Sequence, residues 1–310
     1  MPDERALPRF NVVPVPGHGA EDVVVDSEGR VFTGTDDGSV FVIEEEGARI
    51  RRVGHTGGRP LGLELLHDGR LLVCDAHQGL LALDTVTGSL ETLATEAGGR
   101  RFVFCNNAAV AADGTVYFSD SSAFHPIERW RADLVESTRS GRLLRRNPGG
   151  SIDTLLEGLN FANGVALAAD ESAVFVAETT DRTVVRLHLT GEKQGQRDFL
   201  VEDLPGHPDN IARGSDGLVW VPMASPPAAI LPRMHRLPMA LRRAATKLPQ
   251  RLQPQPARTG RVLAFDPGGR LVHDIEHDAS DYHVITGVRE HQGRVWLGSL
   301  EEPAVAWFDL

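Results

Sequence analysis

A short polar turn recurs six times along this chain, and a short apolar strand directly follows each copy. The turns occupy residues 27–30, 67–70, 112–115, 169–172, 215–218 and 291–294. Successive turns are between 40 residues (27 to 67) and 76 residues (215 to 291) apart, which leaves room for four short strands in each repeat. Repeats of this kind are typical of β-propellers. The sequence therefore predicts an all-β fold, a six-bladed β-propeller, formed as a single domain by residues 1–310.

The sixth repeat contains only three strands, the last of them at residues 304–308. Residues 10–15 are a strand-like segment that precedes the first repeat and has no partner inside it. We therefore expect residues 10–15 to pair with the last strand and to complete the sixth blade. This pairing would cover two sheet edges that would otherwise be exposed.

Two insertions interrupt the third and fifth repeats, at about residues 122–140 and 222–259. The first has apolar residues at helical spacing. The second has seven Arg or Lys residues and no Asp or Glu, and its residues 239–248 are predicted to form a short basic amphipathic helix. Both insertions follow a second strand, so they should emerge on the face where the first strands begin. We expect two helical lids over the tunnel; packing on the rim, or contact of the basic insertion with acidic partners or lipid, is the alternative.

One position of the repeat carries side-chain oxygen in four of its six copies. Counting back eight residues from the third position of each turn gives Glu21, Leu61, Asn106, Asn163, Asp209 and Ile285. Equivalent positions of a propeller converge on its axis, so Glu21, Asn106, Asn163 and Asp209 are predicted metal ligands. Oxygen donors of this mixture suit one Ca²⁺ in the central tunnel, whereas Zn²⁺ would require His or Cys. The alternative is that the Asn and Asp residues are ordinary turn residues.

The composition excludes several classes of function. The net charge of −11 argues against general nucleic-acid binding. The sequence has no apolar segment of signal-peptide or transmembrane length, so we expect a cytoplasmic protein without stable membrane insertion. The two cysteines, Cys74 and Cys105, are expected to be buried reduced thiols. The oligomeric state is left open.

Several segments resemble the strictosidine synthase-like proteins, a group related to the gluconolactonases (senescence-marker proteins), the luciferin-regenerating enzymes and, more distantly, the paraoxonases. The segments are residues 104–107, 117–122, 158–167, 176–179 and 204–211. The resemblance runs from about residue 21 to the last residue. It implies a six-bladed propeller with calcium bound by the four residues above, and Asn210 matches a further ligand position. Asn107 stands where most members have Asp, so one carboxylate near the site is absent.

The resemblance also bears on the reaction. Strictosidine synthase uses a glutamate on the first strand of its sixth blade, and Thr286 stands at about that position in this chain. A hydroxyl cannot perform that acid–base work. We therefore expect the calcium-dependent hydrolysis known elsewhere in this group, acting on a small lactone or ester. A condensing or lyase activity, or a non-catalytic interaction propeller, remains the alternative.

The expected mechanism is metal-assisted attack of water on a carbonyl group at the tunnel mouth. Calcium activates water weakly, so a protein base or nucleophile is needed. The candidates for this role are Asp209, His77 and His207. The candidates for substrate binding are Asp120 and Glu178, which end second strands on the same face, together with Asn107. The identity of the substrate is left open.

Overall fold

The structure, a computed structural model, describes residues 9–247 and 257–310. In these residues the strands form six antiparallel blades around a central tunnel. The first strand of each blade lies innermost and contacts the first strands of the neighbouring blades. The prediction of an all-β, six-bladed propeller is confirmed.

In each blade the strands follow one another from the tunnel outward. Blade 1 has Val23–Val25, Val31–Gly34, Ser39–Glu44 and Arg49–His55; blade 2 has Pro60–Leu65, Leu71–Asp75, Gly79–Leu83 and Leu90–Ala94; blade 3 has Cys105–Val110, Val116–Asp120, Gly141–Arg146 and Ile152–Leu159. Blade 4 has Ala162–Leu167, Ala173–Glu178, Thr183–His188 and Arg197–Val201; blade 5 has an inner strand in two pieces, His207–Pro208 and Ala212–Arg213, then Val219–Ser225, Gly260–Phe265 and Leu271–His277; blade 6 has Ile285–His291, Arg294–Ser299, Ala304–Asp309 and Asn11–Pro14. A small hairpin, Glu96–Ala97 with Arg100–Arg101, connects blades 2 and 3.

The sixth blade is closed by a strand from the other end of the sequence. Asn11–Pro14 pairs antiparallel with Ala304–Asp309, with Val13 opposite Val305. This is the pairing predicted for residues 10–15, and it makes the ring continuous. An apolar cluster that includes Val13, Val23 and Trp296 fills the space between blades 6 and 1.

The hydrophobic core is divided into layers between neighbouring blades. Successive side chains of a strand point to opposite faces of its sheet, so each inner strand packs against two other blades. Ala162–Leu167, the inner strand of blade 4, is accordingly buried along its whole length. Five further apolar clusters fill the other gaps between blades.

The inner strands are interrupted at the positions that the repeat predicted to be ligands. The pairing skips Leu61 and Gly62 in blade 2, Asn106 and Asn107 in blade 3, and Asn163 and Gly164 in blade 4. In blade 5 the inner strand is broken between Pro208 and Ala212. Bulges of this kind turn a side chain away from the plane of its sheet. They direct the side chain of the first skipped residue into the tunnel.

In blade 6 the bulge lies one residue later than the repeat predicted. Its bulge falls on Thr286, and Ile285 pairs normally with Ser299 and packs in the core between blades 5 and 6. The cause is a tighter hairpin, because His291 pairs directly with Arg294 across two residues. Counting back eight residues from Gly293 therefore reaches Ile285, whereas the position equivalent to the other ligands is Thr286, seven residues before Gly293.

Both predicted insertions carry helices. A 3₁₀ turn, Ile127–Arg129, leads into helix α1, Trp130–Glu136; the second insertion contains α2, Leu231–His235, and α3, Met239–Ala245. The second insertion begins later than the predicted residue 222, because the strand continues to Ser225. Of the helix predicted at 239–248, residue 248 lies outside the described residues. Among the described helices, none has the length and apolar character needed to cross a membrane.

Candidate active site

A cavity opens at the end of the tunnel beneath α1. Its floor contains the side chains that the repeat predicted to converge, together with one from blade 6. These are Glu21, Asn106, Asn163, Asp209 and Thr286. Five different blades thus contribute one polar side chain each to a single cavity.

The amide side chains of the floor are oriented by their neighbours. Asn106 donates from Nδ2 to Ser121 Oγ at 2.9 Å, and Ser121 Oγ in turn donates to a carbonyl oxygen, that of Ala162. Asn163 donates from Nδ2 to Thr179 Oγ1 at 3.0 Å, which likewise donates to a carbonyl. Each hydroxyl proton is committed to a carbonyl, so the hydroxyl can only accept from the amide. Both amide oxygens are therefore turned away from these hydroxyls and remain available as ligands.

Several oxygens of this site have no hydrogen-bond partner in the described part of the chain. They are Glu21 Oε2, Asn106 Oδ1, Asn163 Oδ1 and Asn210 Oδ1. A buried unpaired polar atom costs about 1–3 kcal/mol, and four close together are unexpected in a stable fold. A cation would satisfy all four at once. The residues present therefore fit a bound metal ion, with Asn210 adding a donor beside the floor.

The two carboxyl groups of the floor would be strongly acidified by such a cation. Burial raises the pKa of Glu21 from 4.5 to about 7, although Arg59 opposes this effect. Burial, and then the charge of Glu21, raise the pKa of Asp209 well above its ordinary value. Asp209 nevertheless keeps some solvent exposure at the cavity, whereas Glu21 is 3% exposed. The negative charges of Glu21 and Asp209 repel each other, which favours the protonated forms. A divalent cation bound by both carboxylates would favour the ionised forms instead.

The donor chemistry favours a hard cation. Two carboxylates and amide oxygens are the ligand types that Ca²⁺ accepts. Among the described residues there is no group of three or more His, Cys, Asp or Glu side chains placed to hold a metal. The amide oxygens must therefore supply the remaining donors, which is unfavourable for Zn²⁺.

Arg59 is a charged neighbour of the floor that the repeat did not predict. Its Nη2 lies 3.7 Å from Glu21 Oε2, and both side chains are less than one tenth exposed. Arg59 lies in the connection between blades 1 and 2, just before the strand that begins at Pro60. Its repeat equivalents in blades 3 and 4 are Phe104 and Phe161, which are apolar, so no shared residue type marked Arg59 in the sequence.

His207 lies at the wall of the cavity beside Asp209. Its Nδ1 is 2.8 Å from the carbonyl oxygen of Thr179. A carbonyl can only accept, so Nδ1 carries the proton and Nε2 has a free lone pair. Nε2 is buried and has no hydrogen-bond partner among the described residues. Burial also lowers the pKa of His207, which favours the neutral imidazole.

His77, another predicted candidate for the base, is not at the cavity. Its side chain is 40% exposed, and its Nε2 lies 2.6 Å from Glu128 Oε1 on the outside of the first insertion. The position after a second strand brought it to the correct face, but its side chain pairs with the first insertion and does not line the cavity. An exposed ion pair of this kind contributes little to stability.

The predicted substrate-binding carboxylates are also placed away from the cavity. Asp120 forms a buried ion pair with Arg142, at 2.7 Å, and accepts from the amide of Phe104. Glu178 accepts from the amide of Asn160 at 2.7 Å and from Thr183. Both carboxylates stabilise the backbone where neighbouring strands end.

Asn107 has the same structural role in the layer below the floor. Its Oδ1 accepts from the amide of Val165 at 2.8 Å, and its Nδ2 donates to Asp22 at 3.3 Å. Asp22 also accepts from the amide of Leu63. These bonds join blades 1, 2, 3 and 4, and neither polar atom of Asn107 is left for a substrate.

The walls of the cavity are mainly apolar. They are formed by Phe104, Ile127, Trp130, Leu134, Phe161, Val284 and Leu300. The rings of Phe104 and Phe161 pack edge to face, with centroids 5.4 Å apart. Ile127, Trp130 and Leu134 come from the first insertion, which therefore forms a wall of the cavity.

Sequence models of known families match much of this chain. The SMP-30/gluconolactonase/LRE-like region matches residues 56–229, and the strictosidine synthase-like N-terminal region matches residues 5–43. The adipocyte plasma membrane-associated protein of Danio rerio is 33% identical over 315 residues, which cover 90% of this chain and 72% of that protein. The chain belongs to the SMP-30/gluconolactonase/LRE-like family.

Solved structures extend the SMP-30/gluconolactonase/LRE-like resemblance to the whole fold. A gluconolactonase from Xanthomonas campestris superposes with a TM-score of 0.72 at 16% identity, over 98% of this chain and 90% of that one. Regucalcin, a calcium-binding protein from Agrobacterium tumefaciens, superposes with a TM-score of 0.66 at 12% identity, over 96% and 90%. Identities this low show the shared fold alone.

Proposed function

We propose that this protein is a calcium-dependent hydrolase of small lactones or esters that carry an apolar group. One observation carries the proposal: unpaired, oriented oxygens line the cavity floor, and the free Nε2 of His207 lies at the wall beside them. A cation site next to an unprotonated base under an apolar roof suits hydrolysis at a carbonyl group.

The cation would be held by Glu21, Asn106, Asn163 and Asp209, with Asn210 as a further donor. When bound, Ca²⁺ would supply positive charge that stabilises the negative charge developing on a carbonyl oxygen. The calcium-binding description of regucalcin and the gluconolactonase description of the Xanthomonas protein support this assignment. The family itself fits lactone chemistry.

His207 is the proposed general base. Its Nε2 would accept a proton from a water molecule as the oxygen of that water attacks the substrate carbonyl. The same nitrogen would then return the proton to the oxygen of the leaving group, so that acid and alcohol are formed. Thr179 holds the imidazole in the tautomer that this transfer needs. Asp209, with its raised pKa, is assigned to the cation and not to the proton transfer.

The walls set the class of substrate. Phe104, Trp130 and Phe161 present aromatic surface above the floor, and few polar groups lie between them. A substrate with many hydroxyl groups would lose hydration there without new hydrogen bonds. An alkyl or aryl ester, or an alkyl-substituted lactone, would bury its apolar part against these rings.

Thr286 supports hydrolysis over a condensation of the strictosidine synthase type. Its hydroxyl lies at the floor, but it donates to the carbonyl oxygen of Glu21 at 2.8 Å. Blade 6 therefore offers no acid or base to the cavity at this position.

A substrate panel tests the proposal. Aryl esters, alkyl lactones and a sugar lactone are assayed with Ca²⁺, with Mg²⁺ and after chelation. We expect turnover of apolar substrates with Ca²⁺, a large loss after chelation and poor recovery with Mg²⁺, which demands a tighter octahedral shell. Undiminished turnover by fully chelated protein would contradict the metal dependence, and preference for the sugar lactone would contradict the substrate class.

A further inference from the structure

The charge of this protein is separated between two regions. Between residues 222 and 260 there are seven basic residues and no acidic residue, namely Arg233, Arg236, Arg242, Arg243, Lys247, Arg251 and Arg258. This segment carries +7, so the remainder carries −11 − 7 = −18. An anionic surface would therefore attract this insertion and repel the rest of the molecule.

The same insertion exposes large apolar side chains. Ile230 is 49% exposed, Leu237 39% and Leu241 54%, and Phe124 of the first insertion is 64% exposed. Isolated exposed apolar residues are normal on proteins. Of the eleven large apolar side chains exposed in the described residues, three lie inside the basic segment, on or beside the two short helices that pack against α1. Apolar and basic side chains together are the signature of a surface that lies in a membrane interface.

The helices α2 and α3 are fixed to the roof of the cavity by their inner sides. His235 Nε2 lies 2.8 Å from the carbonyl oxygen of Leu134, a wall residue. Thr246 donates to Glu136 Oε1 at 3.2 Å, and Arg243 Nε lies 3.5 Å from the same carboxylate. Arg242 also donates to the carbonyl oxygen of Glu136. Leu231 is buried on this inner side.

The outer side of the insertion carries basic side chains that are not paired with acidic ones. Arg233, Arg236 and Lys247 are exposed, and within the described residues they have no acidic partner. The bonds to α1 prevent the helices from turning these groups inward. The insertion therefore presents a fixed surface of basic and apolar side chains, which we call the outer face: Arg233, Arg236, Lys247, Ile230, Leu237 and Leu241.

We propose that this outer face docks the protein on an anionic lipid surface, with the cavity mouth close to the lipid. The apolar side chains would enter the interfacial layer, and the basic ones would contact lipid headgroups. An acidic protein is the competing partner. Lipid is favoured because the apolar walls of the cavity lie beneath the same insertions. This last argument alone rests on the proposed function; docking itself does not.

Vesicle co-sedimentation of the full chain tests the proposal. Vesicles of neutral phosphatidylcholine are compared with vesicles containing about 30 mol% phosphatidylglycerol, whose charge attracts basic segments. We expect binding to the anionic vesicles only, with release at about 0.5 M NaCl because salt screens exposed charges. Equal binding to neutral vesicles, or no binding to either, would overturn the proposal.

Two sets of variants distinguish the contribution of the outer face to vesicle binding from that of the net charge. Arg233→Gln, Arg236→Gln and Lys247→Gln together should lower the partition coefficient by about two orders of magnitude, at about fivefold for each charge. Ile230→Ser with Leu241→Ser should also weaken binding. Arg52→Gln, Lys193→Gln and Arg197→Gln remove the same charge from exposed positions on, or in the turn before, the outer strands of blades 1 and 4, and should change binding little. An equal loss in this control would overturn the proposal.

Binding to a soluble acidic polymer distinguishes an acidic protein partner from an anionic lipid surface. Polyglutamate that binds the protein, while anionic vesicles do not, would overturn lipid docking in favour of an acidic protein. Hydrolysis of a water-soluble ester is measured in parallel. The charge variants should leave it unchanged, so that failure of docking and failure of the hydrolase assignment give different results.

Discussion

The Nδ1 atom of His207 lies 2.8 Å from the carbonyl oxygen of Thr179, and this contact fixes which imidazole nitrogen can act as a base. His207→Gln keeps a polar side chain of similar length but removes the proton acceptor. We expect kcat to fall by about two to four orders of magnitude, the range for a positioned base, with little change in Tm. Steady-state kinetics and thermal melting measure both.

The control for this variant is His77→Gln. His77 is exposed and paired with Glu128 outside the cavity, so its loss should change kcat less than about twofold, since surface ion pairs contribute little. Comparable losses in both variants would remove His207 from the proposed role and point to an effect on folding or assembly.

Stability without calcium should depend on pH through Glu21. Its pKa is raised from 4.5 to about 7 in the folded protein, so the folded state binds the proton more tightly than the unfolded state. This contribution to stability is complete below pH 4.5 and is lost as pH rises through about 7. In EDTA, Tm should therefore fall between these values. Glu21→Gln should abolish that part of the fall.

Calcium should reverse this dependence. Ca²⁺ requires ionised carboxylates, so protons compete with it and its apparent affinity should fall as pH decreases below about 7. Isothermal titration calorimetry at several pH values measures the affinity and the protons released. Binding that is independent of pH would exclude Glu21 and Asp209 as ligands.

Arg59 opposes the cation that the floor would bind. Its guanidinium lies 3.7 Å from Glu21 Oε2, and unit charges at this range interact by about 4 kcal/mol at an effective dielectric constant of 20. Arg59→Gln should therefore raise calcium affinity by about tenfold or more, while lowering the stability of the calcium-free protein. Calorimetry and melting in EDTA give the two results. A weaker affinity would show that Arg59 mainly shapes the site.

The contact between the two insertions should depend on Glu136. Its carboxylate is 4% exposed and lies near His125, Arg243 and Thr246. Glu136→Gln removes a buried charge that holds α3 against α1, so the insertion should open more often. Trypsin cleavage after Arg236 and Arg242, followed by mass spectrometry, should accelerate by about tenfold, which corresponds to about 1.4 kcal/mol.

The control for Glu136 is Glu128→Gln, which removes an exposed carboxylate from the same insertion. Its cleavage rate at these sites should equal that of the unaltered protein. The propeller should melt at nearly the same temperature in both variants, because the insertions interrupt loops. A large fall in Tm for Glu136→Gln alone would show that the insertions are part of the core.

The repeat in the sequence predicted the blades and four floor residues because both follow from the same periodicity. Each turn fixes the distance to a bulge, and each bulge directs one side chain into the tunnel. The failure at Ile285 arose where a tighter hairpin changed that distance. Gly164 belongs to the same pattern: a Cβ there would lie 1.9 Å from the amide nitrogen of Ile211 in the next blade.

The functional neighbours of the floor were less predictable. Arg59 stands at a repeat position that carries Phe104 and Phe161 in blades 3 and 4, and the burial that defines its role depends on tertiary packing. Asp120 and Glu178 were correctly placed at the ends of second strands, and Asn107 lies within the inner strand of blade 3. Their polar atoms are nevertheless occupied by backbone amides and a buried arginine. The sequence shows where a polar side chain stands in a blade, but not which partner satisfies it.

Closure of the ring also sets the order in which the site can form. Asn11 pairs with Trp307, so blade 6 cannot be completed until the chain has been synthesised at least as far as residue 307. Glu21 lies at this seam, where its carbonyl oxygen accepts from Thr286 of blade 6. Pairings this distant in sequence form slowly and late. Calcium binding would thus report closure of the ring, and a nascent chain with all its predicted ligands but without residues 304–309 should still fail to bind the ion.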